Sequence, residues 1–254
     1  MEQVGAVVVQ VALGDPNHAT WEEGERLIEV LKKSHLEISA TMLGYPGEDY
    51  ASPATIKASG GFGDAGTREE RLGMFRRAVE QTAELEVPYL TSHAGFIPEP
   101  DSSQRQSFLD CLGDAGEIAE QAGVIFCMET GQETASLLRR TLDELAMESL
   151  KINFDPANMV LYDMGDPIHA VEVLGPDIET VHVKDALPPQ SEGKWGAEVT
   201  LGEGAVGMSE FLSALSSIDY DGPLVVEREV GTQQERIRDI RSGIELLRRL
   251  IARR

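Results

Sequence analysis

The stretch VIFCMETGQETASLLRRTLDELAMESLKINFD (124–155) decides the fold. Two short apolar runs, VIFCMET (124–130) and LKINFD (150–155), flank a helical pattern, TASLLRRTLDELAM. Buried-type strands alternating with helices specify a parallel sheet with right-handed crossovers. Each run also closes on an acid, Glu129 and then Asp155, 26 residues apart. Further out, TVHVKD carries His182 27 residues after Asp155, and GPLVVE closes on Glu227 45 residues after that. A (β/α) barrel delivers side chains from successive strand ends to one mouth. Two Glu, one Asp and one His meeting there make a site for one divalent metal. Any one of these acids alone reads as a capped or salt-bridged strand end; the ordered succession of four carries the metal reading.

Three more strand-like runs precede this stretch, VGAVVVQVAL (4–13), LEISATML (36–43) and PYLTSHA (88–94). The later pair extends to IETVHVKD (178–185) and PLVVERE (223–229), which gives seven strands in all. Helical patterns lie between them. Thr20 with Glu23, and Thr67 with Glu70, have the spacing of capping boxes at two helix starts. No linker or repeat divides the 254 residues, so residues 1–254 are expected to form one domain. Two long connections, 45–66 and 186–207, follow strands on the mouth side and are expected to wall a pocket.

Net charge −22 gives a surface that repels phosphodiester backbones and anionic lipid, so neither nucleic acid nor membrane is an expected partner. Cys111 and Cys127 have no metal or disulfide spacing and read as buried thiols in a reducing compartment, the cytoplasm by default. The first apolar run is too short to span a bilayer and lacks a basic leader.

Around the four candidate ligands stand residues with two readings each. His182 and Lys184 share strand parity, so both face the mouth if either does. Lys184 then holds a substrate hydroxyl or phosphate, or neutralises neighbouring carboxylates. Asn158 in FDPAN is a turn residue or a substrate hydrogen-bonder, and His93 in TSHAGF a substrate contact or a structural histidine. His18 in the loop GDPNHATW is a weaker candidate; His35 and His169 read as structural. Trp21 and Trp195 stack on a sugar face or anchor loops. GFGDAG (61–66) and GEGAVG (202–207) match GxGxxG by letter, but neither lies in the βαβ unit a dinucleotide site needs. The second precedes a helix, where an anionic substrate group could bind.

Glu129 and Glu227, on different strands, suit a pair in which one removes a proton from a carbon next to a carbonyl and the other returns one, while a metal polarises that carbonyl.

METG, NFDPAN, VHVKD, WGAEVTLGEG and DGPLVVERE, in that order, resemble the sugar phosphate isomerase/epimerase family of xylose isomerase-like TIM barrels, over nearly the whole chain. The resemblance implies one Mn, Mg, Co or Zn ion on Glu129, Asp155, His182 and Glu227, with both Glu as the acid-base pair. It also implies substrate roles near His93, Asn158, Lys184 and Arg228, and a small carbohydrate or keto-inositol, phosphorylated or not, as substrate. In such barrels a strand and helix usually precede the segment that VGAVVVQVAL resembles. The chain is therefore expected to lack the first βα unit, leaving an incomplete ring that a second copy could seal. Two other activities stay open: an inosose dehydratase-like lyase, and a barrel that binds sugar or metal without turnover. The family's apurinic endonuclease branch needs several more histidine ligands, and the −22 charge opposes DNA.

Overall fold

A computed structural model describes residues 4–14, 21–191 and 193–253, without the side chains of 21–26. The Thr20–Glu23 start signal, His18 and the Trp21 ring lie outside the described residues. The elements run β1 (Val8–Gly14), α1 (Trp21–Lys32), β2 (Glu37–Leu43), α2 (Pro53–Ser59), α3 (Arg68–Glu84), β3 (Tyr89–Ser92), α4 (Arg105–Gln121), β4 (Ile125–Glu129) and α5 (Ala135–Leu145). The chain continues through β5 (Leu150–Phe154), α6 (Pro156–Tyr162), α7 (Pro167–Leu174), β6 (Ile178–Val183), β7 (Asp185–Leu187), β8 (Ala197–Val199), α8 (Met208–Ser217), β9 (Leu224–Val226) and α9 (Gln233–Ile251).

Seven strands form one parallel sheet in the order β1-β2-β3-β4-β5-β6-β9, while β7 and β8 pair antiparallel as a separate hairpin. The sheet curls until its edge strands β1 and β9 bring Cα atoms within 8 Å of each other, and no ladder joins them among the described residues. This is a nearly closed parallel β/α barrel with the seven sheet strands read from the sequence.

The two-residue period of each strand decides what reaches the barrel interior. In β4, β5, β6 and β9 one alternate set (Phe126 and Met128, Ile152 and Phe154, Val181 and Val183, Leu224 and Val226) packs into the apolar layer under the helices. Phe126 meets Phe75 of α3 at 4.7 Å between ring centroids, and Phe154 stacks on Phe211 of α8 at 5.8 Å. Glu129, His182 and the residues just past β5 and β9, Asp155 and Glu227, belong to the opposite set. Burying one face therefore sends all four to the same end of the barrel.

The structure differs from the sequence reading in several elements. β1 starts at Val8, because Gly5 takes a left-handed φ of +72° and turns the chain just before it. Thr67 does precede α3, but its side chain makes no capping hydrogen bond. The two long connections are partly ordered: the first contains α2, capped by Ser52 with Pro53 at its first turn, and the second folds into the β7–β8 hairpin.

Candidate active site

Asp155 shows how the local sequence builds the site. It is the N-cap of α6, followed by Pro156 at the first helical position; its Oδ1 accepts from the Asn158 amide at 2.9 Å. That leaves Oδ2 aimed away from the helix. Although Asp155 is fully buried, Oδ2 accepts no hydrogen bond, and its nearest counter-charge is the Lys184 ammonium at 3.0 Å. Burial, opposed by Lys184 and reinforced by Glu129 and Glu227, pushes this carboxyl up to about 6.

The other three candidate ligands surround that oxygen. His182 Nδ1 lies 3.2 Å from Glu129 Oε1, 3.3 Å from Glu227 Oε2 and 4.0 Å from Asp155 Oδ2. One donor atom from each of the four lies within 4.8 Å of every other. Two bonds of roughly 2.0–2.6 Å on opposite sides of one ion span roughly that separation. The hard oxygen donors, the imidazole and the buried oxygen without a hydrogen bond together fit a divalent cation.

Electrostatics hold the group together without a metal. Burial raises the Glu129 carboxyl, but the His182 and His93 imidazoles outweigh it and bring it below the usual range. For Glu227 burial is likewise outweighed, by Lys184 and His182, leaving it well below that range. Burial alone would lower the His182 imidazole, yet Glu227 and Glu129 hold it well above its ordinary value.

Lys184 shares parity with His182 as expected, and is buried against carboxylates: Nζ lies 2.9 Å from Glu227, 3.0 Å from Asp155 and 3.3 Å from Glu229. Asn158 Nδ2 donates to Glu129 Oε1 at 2.9 Å. His93 stands further off, its Nε2 3.9 Å from Glu129 and its Nδ1 without a partner. Arg228 lines the cleft but is committed to Glu198 at 2.6 Å and Asp239 at 3.1 Å. His169 lies elsewhere, exposed and paired with Glu172.

Above the cluster opens a cleft of about 710 Å³, with Tyr50 and Glu48 from the first long connection and Trp195, Gly196 and Glu198 from the second among its walls. Trp195 joins the two: its Nε1 donates to the Tyr50 carbonyl at 3.1 Å, and its ring meets Tyr162 edge-on at 4.7 Å. It thus anchors the loops while presenting part of the wall.

The two glycine motifs have structural causes. A Cβ on Gly61 would sit 2.2 Å from the Gly95 amide nitrogen, so GFGDAG is a close packing surface for the chain leaving β3 beside His93. In GEGAVG the amides of Gly202, Gly204 and Val206 all donate to the Asp185 carboxylate, at 2.9, 3.0 and 3.2 Å. A Cβ on Gly204 would fall 2.1 Å from Asp185 Oδ1. The amides that could have received an anionic substrate group are filled by the chain's own carboxylate.

Sequence reasoning missed Gln10, Tyr162 and Glu229. Tyr162 and the α6 cap were signalled by Asp-Pro at a helix start. Gln10 carried no local signal: its Oε1 reaches His182 Nε2, 2.5 Å away and 172 residues later in the chain.

Among the described residues, no helix is long and apolar enough to cross a membrane. The sequence is 29% identical to an uncharacterized protein of Methanocaldococcus jannaschii over 71% of this chain; the match spans 62% of that relative's length. The solved structure of a xylose isomerase domain protein from Planctomyces limnophilus is 31% identical and superposes with a TM-score of 0.91, covering 98% of this chain and 90% of the other. A D-tagatose 3-epimerase-like protein shares the fold at 22% identity and a TM-score of 0.71, over 97% of this chain and 88% of that one. The xylose isomerase-like TIM barrel family matches residues 2–250, and the chain belongs to that family.

Proposed function

We propose that the protein is a divalent-metal-dependent isomerase or epimerase of an uncharged keto-sugar or keto-inositol, working by proton transfer through an enediolate. The observation that carries this reading is the placement of Glu129 and Glu227, from different strands, 3.2 and 3.3 Å from one imidazole nitrogen at a cleft with aromatic residues in its walls. Glu129, Asp155, His182 and Glu227 would hold the ion. When bound, it supplies Lewis-acid polarisation of the substrate carbonyl.

The chain's own groups do the rest. One carboxylate takes the proton from the carbon next to the carbonyl; the electron pair of that C–H bond forms the C=C bond of the enediolate, and the carbonyl π pair moves onto its oxygen. The other Glu, once it has taken a proton from solvent or from an enediol hydroxyl, returns it to carbon and closes the enediolate. Asn158 fixes the orientation of Glu129, and Lys184 that of Glu227 and Asp155. Tyr162 and Trp195 offer ring surface to the substrate's C–H face.

Three observations support an uncharged substrate. Asp185 fills the Gly202–Val206 amides, Lys184 and Arg228 are each paired with two or more carboxylates, and Glu48, Glu198 and Glu229 also line the cleft. A phosphate dianion would enter a field of its own sign, where the Gly202–Val206 amides, Lys184 and Arg228 are already engaged by carboxylates.

Incubation with Mn in D2O and a panel of keto-sugars, keto-inositols and their phosphates tests the proposal. Deuterium should enter at the carbon next to the carbonyl of an unphosphorylated compound. A protein that binds metal and sugar yet never exchanges that proton is not an epimerase; exchange confined to phosphates would overturn the substrate class.

A further inference from the structure

We infer that Gln10 is a positioning residue for His182, holding the imidazole so that Nδ1 and not Nε2 is offered to the metal. The inference rests on the metal reading above. Gln10 lies in β1, the edge strand of the sheet, and His182 in β6, five strands along the sheet, so the contact crosses the barrel interior. Its parity matches Ala12, which lines the cleft, and so places Gln10 one layer below the floor.

The chemistry follows from the two ring nitrogens. Nδ1 faces Glu129, Glu227 and Asp155, and Nε2 faces the Gln10 carbonyl oxygen at 2.5 Å. An amide oxygen only accepts, so Nε2 must carry hydrogen, and a neutral imidazole then has its lone pair on Nδ1. An outer acceptor of this kind fixes both tautomer and ring angle and makes the ligand more basic. Gln10 Nε2 has no partner, although it is buried. The side chain is therefore not held there by a hydrogen-bond network of its own; the bond to His182 is its one polar contact among the described residues. Fold and site are linked here: the strand at the open seam of the barrel supplies the group that orients a central ligand.

Two near-isosteric replacements separate an acceptor from a space-filler. Gln10→Glu keeps an oxygen at the position, whereas Gln10→Met keeps the volume and removes the acceptor. Mn affinity measured by calorimetry should fall roughly 10- to 100-fold in Gln10→Met and stay within about threefold of the parent in Gln10→Glu. Equal affinities for Gln10→Met and the parent, or equal losses in both variants, would overturn the role. A second readout needs only the folded parent: 15N-histidine NMR of the Mg-loaded protein should show one imidazole protonated at Nε2, with a downfield, exchange-protected N–H. A His182 protonated at Nδ1 in that state contradicts the inference. Failure of the parent itself to bind Mn or Mg would instead remove the metal reading on which it rests.

Discussion

Asp155 and Asp185 are both buried aspartates at the mouth end of adjacent strands, and they have opposite surroundings. Asp185 accepts four backbone amides, those of Ala186, Gly202, Gly204 and Val206, and ties a loop to the barrel. Asp155 spends one oxygen on the cap of α6 and leaves the other with a single ammonium neighbour and no hydrogen bond. A carboxylate buried with full hydrogen bonding stabilises a fold; one buried with a bare oxygen costs stability, and that cost is retained where a ligand removes it. The same residue type thus reads as architecture at one strand end and as chemistry at the next.

The largest effect expected from breaking this contrast is on metal binding. Asp155→Asn preserves the cap oxygen but puts an amide nitrogen where the bare oxygen points. Mn affinity should drop more than the roughly 100-fold upper range of an outer-shell change. Asp185→Ala should do the reverse: near-parent Mn affinity, with about 4 kcal/mol lost in denaturant unfolding because several buried amides lose a charged acceptor. If the two variants exchange phenotypes, the comparison fails.

Gly204→Ala sharpens the Asp185 half alone. A methyl 2.1 Å from Asp185 Oδ1 must push the loop off its carboxylate, with an expected loss of about 2 kcal/mol and several degrees in Tm. An unchanged melting curve would mean that the loop does not depend on Asp185.

Asp155 should also be visible in the pH dependence. Its carboxyl is raised from 3.8 to about 6, so the folded state binds this proton more tightly than the unfolded chain does. In the metal-free protein its contribution to stability is therefore greatest below about pH 4 and is lost as pH rises through 6, the opposite of a salt-bridged acid. Metal competes with that proton, so Mn affinity should fall as pH drops through about 6. His182, held protonated well above its ordinary range, extends the rise in affinity to higher pH. Titration of Mn binding from pH 5 to 8 checks the slope, which Asp155→Asn should flatten at its acid end.

The smallest effect on metal binding belongs to Arg228, whose charge is already paired with the largely buried Glu198 and Asp239. Arg228→Gln should leave Mn affinity unchanged while costing about 3 kcal/mol in denaturant unfolding, because two buried carboxylates lose their cation. A large loss of metal would place Arg228 nearer the chemistry than its geometry does.

Much of this was legible in the sequence because burial of one strand face fixes parity. Once VIFCME and LKINF bury Phe126, Met128, Ile152 and Phe154, Glu129 and Asp155 have only one end to go to. The cap on α6 was readable too, in Asp155-Pro156, but a seven-residue helix following a strand directly is masked by the strand's apolar run. What the sequence could not convey depends on distance along the chain. Gln10 meets His182 only because the sheet curls, and Asp185 reaches Gly204 only because the β7–β8 hairpin folds back. GEGAVG accordingly looked like a place for an anion, which it is, with the anion supplied from within.

Glu129, Asp155, His182 and Glu227 are proposed to hold one divalent ion. A crystal structure of the Mn-soaked protein, with anomalous diffraction at the Mn edge, tests it most directly. A single strong peak is expected within roughly 2.0–2.6 Å of all four side chains, with Asp155 bound through the oxygen that now lacks a hydrogen bond. A peak elsewhere, or none in a protein whose four side chains keep their present positions at saturating Mn, would contradict it.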